Sequence, residues 1–259
     1  SRIISRKKQA EMGLDDLRFL ARVEGRLKHE NLVATLENIS QKTDDADDWY
    51  EVARVAFNRK RYQDSIAATA KALHIDHGHE KSRTLRVRSL IIEEQYSYAI
   101  EEMNELEKQG LLNEKLLIRR AEISFKLNQI ELAKNSYQNI WEEAGLITAA
   151  HGLARCLIRE ERYQEVLDLI DSMDESENHV LVPIKLQSLQ KLSRLDELLR
   201  CFEKRRALTE KYPRMFHFAA DAEKSSGNTA RAIELWRELL VLEPDNLEAN
   251  FSIAATYYD

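Results

Sequence analysis

The sequence predicts an all-α fold, an α-solenoid in which helix pairs stack one after another in a right-handed superhelix. One observation is compositional: the 259 residues include only 7 glycines and 3 prolines, which leaves little material for the turns of a sheet. The 43% hydrophobic and 32% charged residues are typical of long helical proteins. The other observation is an internal repeat of about 34 residues, a period that indicates an array of helix pairs.

The clearest repeat lies near the C-terminus. It predicts a helix, a tight turn at residues 226–228, a second helix and a stop at Pro244. Ala220 and Ala232 stand where the two helices cross closely, and Trp236 fills the space between them. The same arrangement recurs upstream, so that repeats begin at residues 46, 80, 114, 147, 179 and 213, with a partial repeat at 247.

This helix–turn–helix period, with its aromatic, alanine and large apolar columns, resembles the tetratricopeptide repeat. The resemblance covers residues 46–259. The repeat at 213 is nearest to the family pattern, and the repeat at 179 departs most, since Leu186 and Leu198 replace alanine. The resemblance implies about six helix pairs in a non-catalytic binding scaffold, where the first helix of each pair lines a concave groove.

Residues 1–45 fit the repeat poorly and are predicted to form an N-terminal helical segment, either a degenerate repeat or a capping hairpin. If residues 18–26 are helical, their arginines form one cationic stripe. Such a stripe either lies near an anionic membrane or is an ordinary solvated helix face. The basic residues of the segment are Arg2, Arg6, Lys7, Lys8, Arg18, Arg22, Arg26 and Lys28.

At the other end, the partial repeat from 247 has only its first helix, so Phe251, Ala254 and Tyr257 lack a covering partner. We therefore expect the sequence to be a fragment of a longer polypeptide. We also expect this end to self-associate or to continue into further repeats.

No catalytic activity, cofactor or metal is expected, because the sequence has no Gly-rich phosphate loop, GxSxG or HExxH motif. Cys156 and Cys201 are interpreted as reduced thiols in or near the core. The stretch HIDHGHE at 74–80 has two interpretations. Its histidines and Asp76 could ligate a metal, but Asp76 and Gly78 also suit a sharp turn between repeats, which is the favoured interpretation.

Projected onto the first helices, the non-core residues are mainly cationic, although the chain has a net charge of −6. A basic groove favours an acidic ligand. Ordinary solvated helix charges are the alternative. Nucleic acid is not expected, because the chain is acidic and its groove has few aromatic residues for base stacking. The predicted groove residues are Tyr50, Arg54, Lys81, Arg88, Lys115, Lys126, His151, Arg155, Arg159, Lys191, Arg214 and His217.

The predicted function is therefore a scaffold that binds an acidic peptide or protein surface. The alternative is an accessory or docking region of a larger bacterial enzyme or membrane assembly, for example in polysaccharide synthesis or secretion. No apolar run approaches the roughly 18 residues that a membrane span requires. The predicted compartment is the cytoplasm. The alternative is association with a membrane through another part of the parent chain.

Overall fold

The computed structural model describes residues 11–174 and 178–258, and these form fifteen α-helices and no strand. This confirms the predicted all-α fold. The basic residues Arg2, Arg6, Lys7 and Lys8 lie outside the described residues. The helices are α1 Leu14–Arg26, α2 Leu32–Thr43, α3 Ala46–Asn58, α4 Tyr62–Ile75, α5 Glu80–Ile92, α6 Tyr96–Lys108, α7 Glu114–Lys126, α8 Ile130–Ala144, α9 Ile147–Arg159, α10 Tyr163–Asp171, α11 Val182–Lys191, α12 Leu195–Lys204, α13 Arg214–Ser225, α14 Thr229–Leu242 and α15 Leu247–Tyr258.

The chain divides into two compact units, Ser1–Leu116 and Leu117–Asp259. They are called the N-terminal and C-terminal units below. The predicted boundary between a helical segment at 1–45 and a repeat array at 46–259 is a different division, and it stays a prediction. Helices α3, α5, α7, α9, α11, α13 and α15 are called first helices, and α4, α6, α8, α10, α12 and α14 second helices.

In the N-terminal unit, consecutive helices pack because each buries an apolar stripe against its neighbour. Leu17 of α1 meets Leu32 and Ile39 of α2. Further along, Trp49 and other apolar side chains of α3 pack against Ala68 and Ala72 of α4. Alanine at these crossings allows two helix backbones to approach closely, which is why the alanine columns of the sequence lie in the core.

The turn inside each pair has a constant geometry. One residue of the turn adopts a left-handed conformation with φ between 52° and 88°, and only the last of these residues is glycine. The turn between α1 and α2 has the same conformation, so this hairpin shares the geometry of the repeats. The residues are Lys28, Lys60, Glu94, Asn128, Glu161, Ser193 and Gly227.

The C-terminal unit contains the most irregular pairs. Helix α10 has 9 residues and α11 and α12 have 10 each, against 15 for α8 and 14 for α14. A 3₁₀ turn, Asn178–Leu181, precedes α11, and Pro183 lies in the first turn of that helix. Leu186 and Leu198, which replace alanine here, are both fully buried.

Helix α15 packs on α14 through Ala249 and Ile253 and leaves Leu247, Phe251 and Tyr257 exposed. Self-association or continuation at this face stays a prediction. Among the described residues, no helix is both long and apolar enough to cross a membrane.

The two cysteines have different surroundings. Cys156 is completely buried and Cys201 half-buried. Burial raises the pKa of the Cys156 thiol to about 11 and also raises the pKa of Cys201. Both thiols are therefore protonated at neutral pH and are weak nucleophiles.

Candidate ligand surface on the first helices

In the N-terminal unit, an arginine of one first helix stacks on a phenylalanine of the preceding first helix. The Arg88 guanidinium lies 4.7 Å from the ring centroid of Phe57. Tyr62 meets the same ring edge-on at 5.3 Å. A cation–π contact at an exposed site contributes roughly 0.5–1 kcal/mol and restricts the side chain. Arg88 is exposed, and the contact with Phe57 holds its side chain in position.

Two other predicted cations of this unit have acidic neighbours. Arg54 forms a two-pronged ion pair with Glu51, with its closest nitrogen–oxygen distance 2.6 Å. The hydrogen bond to Glu51 raises the pKa of Arg54. Lys81 lies 3.7 Å from Asp47. These acids offset part of the positive charge of Arg54 and Lys81, whereas Arg88 has no ion pair with an acidic side chain among the described residues.

Tyr50 is half-buried beside the histidine-rich turn. Its ring centroid lies 5.9 Å from that of His79. His79 caps α5, because its Nδ1 accepts a hydrogen bond from the Ser82 amide at 3.3 Å; the Ser82 hydroxyl lies 2.7 Å from the same nitrogen. Its Nε2 faces the Asp47 carboxylate at 3.3 Å.

The rest of the 74–80 stretch is also engaged in local structure. His77 Nδ1 donates to the Leu73 carbonyl at 2.6 Å, and the Asp76 carboxylate accepts from the Gly78 amide at 2.8 Å. These contacts are those of a turn between helices. Within the described part of the chain, no group of three or more His, Cys, Asp or Glu side chains is arranged to hold a metal ion.

The C-terminal unit repeats the arginine–phenylalanine arrangement. The Arg155 guanidinium of α9 lies 4.5 Å from the ring centroid of Phe125 on α7. One turn further along α9, Arg159 donates to the Asn128 side chain at 3.1 Å. Both arginines are exposed. Each unit thus presents an arginine held over a phenylalanine on its first helices.

His151 lies one turn before Arg155 on α9 and is half-buried. Burial lowers the pKa of His151, and the positive charge of Arg155 lowers it further. The neutral imidazole therefore predominates at pH 7. Since the folded-state pKa is below the unfolded one, His151 stabilises the fold fully at higher pH, and this contribution is lost as the pH falls through the unfolded and then the folded pKa.

Replacement of Arg155 by glutamine is expected to raise the pKa of His151, because it removes a nearby positive charge and leaves the burial in place. Nuclear magnetic resonance titration of the His151 Cε1 proton measures this change. Lys191→Gln, on another first helix, is the matched control and is expected to leave the pKa of His151 unchanged. Equal shifts in the two variants would contradict the proximity of Arg155 to His151.

The remaining predicted residues differ in accessibility. Lys115, Lys126 and Lys191 are exposed, and so is Arg214, whose guanidinium lies 5.3 Å from the Phe218 ring centroid. His217 is only 8% exposed.

The burial of His217 reflects contacts inside the protein. Its Nε2 lies 2.9 Å from Glu248 and 3.6 Å from Asp221. Burial raises the pKa of Asp221, and the Gln190 side chain donates to that carboxyl at 3.1 Å. His217 therefore links α13 to α15 and has little surface left for a ligand.

No family model matches the sequence, and no curated protein matches it. Solved structures do match. A tetratricopeptide repeat protein from Parabacteroides merdae aligns over 94% of this chain and 98% of its own at 10% identity and a TM-score of 0.58. The pilF protein of Pseudomonas aeruginosa aligns over 81% of this chain and 97% of its own, at 13% identity and a TM-score of 0.57.

A chain of the APC/C hetero-tetramer Cut9–Hcn1 aligns over 95% of this chain and 46% of its own, at 12% identity and a TM-score of 0.56. At such identities the likeness establishes the fold. The chain has the tetratricopeptide-repeat fold.

Two features of this tetratricopeptide-repeat surface were not predicted. Phe125 is the stacking partner of Arg155, and Glu51 is the ion-pair partner of Arg54. Both leave a signal in the sequence. Phe125 precedes its arginine by 30 residues, as Phe57 precedes Arg88 by 31, and Glu51 precedes its arginine by 3, one helical turn.

Proposed function

We propose that the chain is a non-catalytic scaffold that binds an acidic peptide or an acidic protein surface along its first helices. The observation that supports this most directly is the arginine–phenylalanine stack in each unit. Arg88 and Arg155 keep exposed guanidinium groups in fixed positions. A carboxylate can accept two parallel hydrogen bonds from a guanidinium, and a side chain that is already ordered loses less entropy on binding.

The proposal is tested by comparing the wild-type chain with the Arg54/Arg88/Arg155→Glu variant in an affinity pull-down from native lysate. A partner bound to these arginines is lost from the variant and is released from the wild type at high salt, because exposed charges are screened. The partner is then identified, and its acidic segment is titrated as a synthetic peptide against both proteins. We expect the variant to bind the peptide at least 10-fold more weakly.

Lys71/Arg200/Arg237→Glu is the matched control, because it makes the same charge change on exposed residues of the second helices. It is expected to retain the partner. Equal loss in both triple variants would show a general charge effect, and retention in both would place the partner elsewhere; either result contradicts the proposed surface.

The second candidate function is an accessory or docking region of a larger bacterial enzyme or membrane assembly. The observation that favours it is on α1, where exposed arginines and exposed apolar side chains lie side by side. Sequencing the complete parent gene tests it. A catalytic or membrane-spanning domain in the same polypeptide would support this function, and a polypeptide without either would contradict it.

A further inference from the structure

The outer face of α1 has a regular pattern of neighbouring basic and apolar residues. Three arginine–apolar dipeptides, Arg18–Phe19, Arg22–Val23 and Arg26–Leu27, follow one another at a spacing of 4 residues. An α-helix turns about 100° per residue. Residues 4 apart therefore lie only about 40° from each other around the helix axis. The arginines and the apolar residues therefore form two adjacent rows.

Both rows face away from the protein. Phe19 is 67% exposed, Val23 37% and Leu27 68%. The three arginines are exposed as well. The opposite face of α1 is the packed one, since Leu17 and Ala21 are buried against α2. An apolar row on the solvent side is thus not part of the protein core.

The helix is also firmly held. The Thr35 hydroxyl of α2 donates to the buried Glu24 carboxylate at 2.6 Å. Arg59 donates to the carbonyls of His29 and Glu30 in the turn between α1 and α2, at 2.5 and 2.8 Å. These bonds tie the hairpin to the end of α3. The two rows are therefore presented on a fixed element.

We propose that this face of α1 docks on an anionic lipid bilayer. Apolar side chains that enter the boundary between headgroups and acyl chains, beside basic side chains that contact anionic headgroups, are the features of an interfacial helix. The inference concerns another surface than the first helices and goes beyond the proposed scaffold function.

The charges around the rows favour this occupant over a second copy of the chain. Two copies meeting through this face would bring six arginines together, and like charges in contact repel. The exposed acids nearby lie at the two ends of the rows: Asp15 and Asp16 in the first turn of α1, with Glu11 before them, and Glu30 after Lys28 in the turn that follows. The bilayer-facing residues therefore lie between Arg18 and Leu27, and the one acid in this range, Glu24, is buried against α2.

Vesicle flotation of the full chain tests the proposal. Vesicles of phosphatidylcholine with 30% phosphatidylglycerol are compared with vesicles of phosphatidylcholine alone, at 0.1 M and 0.5 M NaCl. We expect binding to the anionic vesicles only, and weaker binding at high salt.

Arg18/Arg22/Arg26→Gln is expected to reduce the partition coefficient on the order of 100-fold, about fivefold per arginine. Phe19/Leu27→Ser tests the apolar row and is expected to reduce it at least 10-fold.

Leu247/Phe251→Ser is the matched control, because these side chains of α15 are 83% and 75% exposed and thus no less exposed than Phe19 and Leu27. It is expected to bind like the wild type, and circular dichroism verifies that every variant is folded. Three results would overturn the proposal: no preference for anionic vesicles, binding that the α1 variants do not reduce, or an equal reduction by the α15 control. Normal vesicle binding by the Arg54/Arg88/Arg155→Glu variant would separate this surface from that of the proposed scaffold function.

Discussion

Replacement of Glu102 by alanine is expected to lower the free energy of unfolding by about 3–5 kcal/mol. The Glu102 carboxylate on α6 accepts hydrogen bonds from Arg83 Nη1 at 2.5 Å and from Arg86 Nε at 2.7 Å, both on α5. The three side chains are only 10–18% exposed. Without the carboxylate, two largely buried guanidinium groups lose their counter-charge, and such uncompensated burial is costly.

The two arginines also bond to the backbone, so the removal of Glu102 affects more than the α5–α6 pair. Arg83 donates to the His77 carbonyl at 2.7 Å, and Arg86 donates to the Ile66 carbonyl at 2.8 Å. The network therefore joins α4, the 74–80 turn, α5 and α6. Hydrogen exchange of Glu102→Ala is expected to increase mainly in these elements, since repeat arrays open locally.

Glu105→Ala is the control for this prediction. Glu105 lies one turn further along α6 and pairs with Lys108 at 2.6 Å, but both side chains are exposed. Exposed pairs contribute little to stability. Urea denaturation followed by circular dichroism is expected to separate the two variants clearly. Equal stability of the two would mean that the network around Glu102 does not depend on its charge.

The sequence was sufficient to predict the fold because the repeat leaves its mark on many positions at once. Ala53, Ala99, Ala133, Ala154 and Ala220 are all completely buried in the structure. Each is small for the same reason, close approach of two helices, so an error at one position does not change the conclusion. The left-handed turn residues were not predictable in this way, because only Gly227 among them is glycine and the others, such as Lys60, have side chains that disfavour the conformation.

The candidate site was predictable only to the level of helix faces. Helical spacing identifies which residues share a face, but contacts with neighbouring helices decide which of them are accessible. His217 shows the difference, since Glu248 from the next first helix covers it. The buried pairing of Arg83 with Glu102 was also beyond sequence reasoning, since 19 residues separate them and charged residues on helices are usually solvated.

Gly152→Ala is expected to destabilise the protein by about 1–3 kcal/mol, the cost of overpacking a core. A Cβ atom at Gly152 of α9 would lie closer than 3.0 Å to ring carbons of Tyr137 on α8. Tyr137 is only 2% exposed and is surrounded by the core, so its ring has little room to move. The direction of this effect is informative, because glycine to alanine inside a helix ordinarily stabilises by roughly 0.5–1 kcal/mol.

Gly25→Ala provides the matched control, since Gly25 is also helical and a Cβ atom there would have Leu32 as its nearest neighbour at 3.9 Å. We expect Gly25→Ala to stabilise the protein and Gly152→Ala to destabilise it when both are unfolded with urea. A double-mutant cycle then isolates the cause: in a Tyr137→Leu background, Gly152→Ala should lose most of its cost because the ring is absent. A Gly152→Ala variant as stable as the wild type would mean that α8 and α9 can move apart, and that the close crossing of these helices is not required by the rest of the core.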